Sequence, residues 1–89
     1  MKRRLFIMAS KKIERVQTGM RIEKRILKVL KMVATHKDMT LGDLIEGIVL
    51  HSFESKPPFG PESIKLIESM KKVNGLVLTA ADSHKLFED

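Results

Sequence analysis

Cysteine is absent from the 89 residues. That excludes disulfides, thiolate metal sites and a cysteine nucleophile, and it suits a reducing compartment such as the cytoplasm. Tryptophan and tyrosine are also missing, and phenylalanine occurs only four times. Binding of single strands or RNA loops by stacking needs exposed rings, so the composition argues against that class. No apolar run is longer than Leu5-Phe6-Ile7-Met8-Ala9. A bilayer span needs about 20 such residues, and a signal peptide needs roughly 7–15 ahead of its cleavage site. No membrane partner is expected. A chain this short is one domain, or one small domain with an appendage, and buries only roughly 60% of its unfolded surface. A partner subunit is therefore expected.

Acids are scarce where bases are dense. Residues 1–37 carry 12 Lys or Arg and only two acids, Glu14 and Glu23, for a net charge of +10. Residues 38–89 carry five bases and nine acids, a net of −4, which brings the chain to +6. A basic front and an acidic back point to an anionic partner for the first half. Clustered Lys and Arg gain affinity for nucleic acid by releasing condensed counterions.

Residues 1–14 read as a basic N-terminal arm. From Arg15 to Ile22 the sequence alternates, with Val16, Thr18, Met20 and Ile22 on one side and Arg15, Gln17, Gly19 and Arg21 on the other. Period 2 predicts a half-buried strand. From Glu23 the period becomes helical, with Ile26, Leu27, Leu30, Val33 and Ala34 on one stripe and Lys24, Arg25, Lys28 and Lys31 opposite. Asp38 suits a left-handed turn after this helix. Thr40-Leu41-Gly42-Asp43 resembles a capping box, and Met39 and Leu44 are spaced for a hydrophobic staple. The second helix runs to about Phe53 and is apolar on nearly every side, so it demands cover from a second subunit. Residues 55–60 form a Pro/Gly linker. Residues 61–89 form a C-terminal helical extension, with Pro61 placed to start its helix and Gly75 to end it.

A strand, a basic amphipathic helix, a tight turn and an apolar helix fall in one unit, residues 15–54. The residues Gln17-Thr18-Gly19-Met20-Arg21-Ile22, followed by Ile26, Leu27, Leu30, Val33, Ala34 and the helix from Thr40 to Phe53, resemble the ribbon-helix-helix family of Arc- and MetJ-like repressors. The resemblance implies a mainly α fold with one short strand per chain. Two chains intertwine as a homodimer through a two-stranded antiparallel β-ribbon, and here the helical extension is added. The implied dimer core comprises Met20, Ile22, Ile26, Leu30, Val33, Leu44, Ile45, Ile48, Val49 and Phe53.

By the same resemblance the chain is a sequence-specific double-stranded DNA-binding protein, a transcriptional regulator that reads the major groove with its ribbon. Base contacts map to Gln17, Gly19 and Arg21, with Arg15 at the margin. Arg can grip guanine O6 and N7, and Gln can pair with adenine N6 and N7. Gly19 departs from the family's polar reader at that position. Phosphate contacts map to the start of the second helix, at Thr40, Leu41 and Gly42, where free N–H groups and the helix dipole favour an anion. Lys11 and Lys12 of the arm are placed to add phosphate contacts.

Two other readings compete. Arg4-Leu5-Phe6-Ile7-Met8 is a rival register for the strand, at the cost of a long first helix containing Gly19. The chain is alternatively an antitoxin-like interaction module in which residues 61–89 grip a partner protein; for the tail itself, packing of its helix back on the core with no partner of its own is the favoured expectation. Enzyme chemistry is not expected: His36, His51 and His84 lack metal-ligand spacing, no phosphate-cradling glycine loop is present, and no cofactor is implied.

Overall fold

Local signals of this kind place three helices in the computed structural model, which describes residues 11–88: α1 (Lys24–His36), α2 (Leu41–Phe53) and α3 (Pro61–Asn74), then a 3₁₀ turn at Ala80–Asp82. Glu23 starts α1. Its Oε1 accepts the N–H groups of Arg25 and Ile26, both at 2.9 Å. Thr40 starts α2, its Oγ1 accepting the Asp43 N–H at 3.1 Å. Pro61 occupies the first turn of α3, where its missing N–H costs nothing.

The three helices end alike. Asp38, Ser55 and Gly75 take left-handed φ values of 59°, 58° and 64°. In each case the next residue's N–H turns back to a carbonyl of the last turn: Met39 to Ala34, Lys56 to His51 and Leu76 to Lys71. This is the Schellman arrangement, and Gly75 alone adopts it without a side-chain penalty.

α1 is the central element. It packs against both α2 and α3, which do not pack on each other. The core is small: Val29, Val33 and Ala34 from α1, Leu44 from α2 and Met70 from α3. Leu30, Met32, Met39, Ile48, Phe59, Leu66, Ile67 and Leu76 close over it.

The fold is all-α, and this corrects the expected ribbon-helix-helix architecture. Among the described residues there is no β-strand. Residues 11–22 make no backbone–backbone hydrogen bond, and all but Ile22 are exposed. Alternation produces a strand only where a second strand accepts its N–H and C=O groups. Among the described residues no other segment offers one, and the alternating residues stay open to water. In the extension, α3 contributes Met70 to the common core. The rival strand at residues 4–8 lies outside the described residues. No helix among those described is long and apolar enough to cross a membrane.

Candidate nucleic-acid interface

The described cations of the basic half stand at the surface, with one partial exception. Of the nine Lys and Arg between Lys11 and Lys37, all are exposed except Lys37, which is half-buried and donates to Ser63 Oγ at 2.7 Å. The arginines are not free. Arg15 Nε and Nη2 each lie 2.8 Å from an oxygen of Glu46 on α2, a two-point grip. Hydrogen bonding to Glu46 raises the Arg15 pKa further above its ordinary value, and the same contact holds the Glu46 carboxyl below the usual carboxylate range. Asp43 adds to the negative field at Arg15. Arg21 is likewise held by Glu88, its Nε 3.3 Å from Oε1. Both pairs are open to solvent, so another anion can displace them at small cost.

Between these arginines, Gln17 and Gly19 are exposed. A Cβ built on Gly19 meets nothing within 4 Å, so packing within the chain does not require a glycine there. The four expected base-reading positions therefore share one solvent-exposed segment. Two of the four have an acidic partner from a distant part of the chain. An open groove of about 690 Å³ lies between residues 20–24 and the C-terminal residues Leu86, Phe87 and Glu88.

The start of α2 meets the expectation only in part. The Leu41 and Gly42 N–H groups have no acceptor among the described residues, and a Cβ on Gly42 would be unobstructed. Asp43 stands in this first turn, and with Glu46 it gives the turn a negative edge. Lys11 and Lys12 are exposed and in no ion pair among the described residues.

The expected dimer-core residues divide into three groups. Val33 and Leu44 are buried within the chain's own core. Ile22, Ile26, Leu30, Ile45 and Ile48 are half-buried. Met20, Val49 and Phe53 are exposed, Phe53 at 80%, and Leu50 beside them is 62% exposed. Sequence reasoning did not find the carboxylates that hold the arginines. Glu46 and Glu88 lie 31 and 67 residues from their partners, a separation at which spacing carries no signal.

Among the described residues no group of three or more His, Asp or Glu is arranged to hold a metal ion. Compared with protein-family profiles, curated proteins and solved structures, the chain matches none.

Proposed function

We propose that this protein binds double-stranded DNA as a homodimer and regulates transcription. The observation that carries the reading is the segregation of charge: a +10 front half whose described cations stand at the surface. Arg15, Gln17 and Arg21 supply the guanine- and adenine-reading chemistry from the exposed segment before α1. The segment acts as an arm laid into a groove, and base edges there displace Glu46 and Glu88 from the arginines. Lys11, Lys12 and the free N–H groups of Leu41 and Gly42 add backbone contacts.

Homodimer formation is supported by α2. Val49 and Leu50 lie four and three residues before Phe53 on one exposed face, and an apolar patch of this kind suits a protein contact. A second copy presenting the same face covers it symmetrically. The competing reading, a partner protein held by residues 61–89, draws on the exposed Val73, Val77 and Phe87.

The test is Arg21→Ala on a duplex enriched from a random pool by the native protein. Binding should weaken by about 1–3 kcal/mol while the helical content is retained. Full-strength binding by the variant would refute the assignment of Arg21, and failure to enrich any duplex would favour the partner-protein reading.

A further inference from the structure

We infer that Lys24, Lys28 and Lys31 of α1 form the principal phosphate-contact surface of this protein, a role that rests on the DNA-binding reading above. At about 100° per residue, these three lysines fall within a sector of roughly 60°, centred opposite the buried Val33. All three are exposed, and among the described residues none is in an ion pair. The described arginines, by contrast, are occupied: Arg15 by Glu46, Arg21 by Glu88, and Arg25 by Glu23 and the Gly75 carbonyl.

Fold stability does not explain the stripe. α1 contains no acidic residue between Lys24 and His36, so no acid four residues away supports any lysine on this helix. Lys24 and Lys28 are instead a like-charge pair at that spacing, which is destabilising. Lys24 also stands in the first turn, where the helix dipole disfavours a cation. A solvated face needs only mixed charges. An uncompensated cationic row that works against its own helix fits an anionic ligand that neutralises it.

The dimensions suit a duplex backbone. At about 1.5 Å per residue, Lys24 to Lys31 spans roughly 10 Å of helix axis. One DNA strand advances about 3.4 Å per phosphate, so the row faces about three phosphates. Because the contacts are point charges on flexible stems, they add affinity without base preference.

The experiment compares the native protein with the triple variant Lys24→Gln, Lys28→Gln, Lys31→Gln on a labelled random-sequence duplex over a range of salt. The slope of log affinity against log salt should flatten by about 2.7 for each bound chain. Affinity at about 0.1 M salt should fall more than tenfold, with the circular dichroism of the helices retained. The triple Lys→Arg variant, which keeps the charge, should bind like the native protein. Should the triple Gln variant not fold, Lys28→Gln alone should flatten the slope by about 0.9 per chain. An unchanged slope and affinity in the Gln variants, with the native protein binding normally, overturns the lysine stripe and leaves the DNA reading intact. A native protein that binds no duplex overturns both.

Discussion

Glu23 holds the first turn of α1 by accepting two backbone N–H groups with one oxygen. Its carboxyl is held below the usual carboxylate range, chiefly by the Ile26 N–H. Glu46 is depressed as well, by the Arg15 guanidinium. For both groups the unfolded state takes up protons at a higher pH than the folded state does. Their stabilisation is complete above the unfolded carboxylate pKa, about 4.3, and disappears as pH falls through the lower folded values. Urea denaturation across the acid range should therefore show stability declining below about pH 4.3, with a shallower decline in Glu23→Gln. Identical acid limbs for native protein and variant would contradict the cap's role. At this scale legibility followed distance along the chain. The Thr40 cap and the left-handed Asp38 act over three residues or fewer and could be read directly. Glu23 escaped because glutamate is not among the preferred capping residues. The partners of Arg15 and Arg21 escaped because the fold alone brings them close.

The helices were more legible as elements than the segment before them. Helical periodicity from Glu23, the Thr40 cap, and the Pro61 and Gly75 punctuation located α1, α2 and α3 closely. Each of these signals is satisfied within the helix or its own ends. The alternation at 15–22 is different, because a strand exists only through a second strand and residues 11–22 make no backbone–backbone hydrogen bond. Which helix α3 meets was hidden, since a narrow apolar stripe does not identify its partner. It meets α1, with Met70 buried at 8% exposure. Met70→Ala should accordingly cost about 2–5 kcal/mol in chemical denaturation, because the small core has little else to fill the cavity. A change below about 0.5 kcal/mol, typical of a surface site, would show that α3 is a detachable appendage.

Across the whole molecule, charge and apolar surface are separated more than folding requires. The front half is cationic and its described cations other than Lys37 are exposed, the back half is mildly acidic, and α2 leaves Leu50 and Phe53 uncovered. The proposed dimer on DNA uses both features: in it the apolar faces join two copies and the cations of each copy meet phosphates. The three α1 lysines of each chain alone give a bound dimer about six contacts, which implies a log–log salt slope of about −5 or steeper once Lys11 and Lys12 add theirs. Fluorescence anisotropy of a labelled duplex, titrated with the native protein at several salt concentrations, measures this directly. Affinity should fall by about 10³ or more between 50 and 200 mM salt; no binding at the lowest salt, or binding that salt leaves unchanged, would contradict a DNA-binding role.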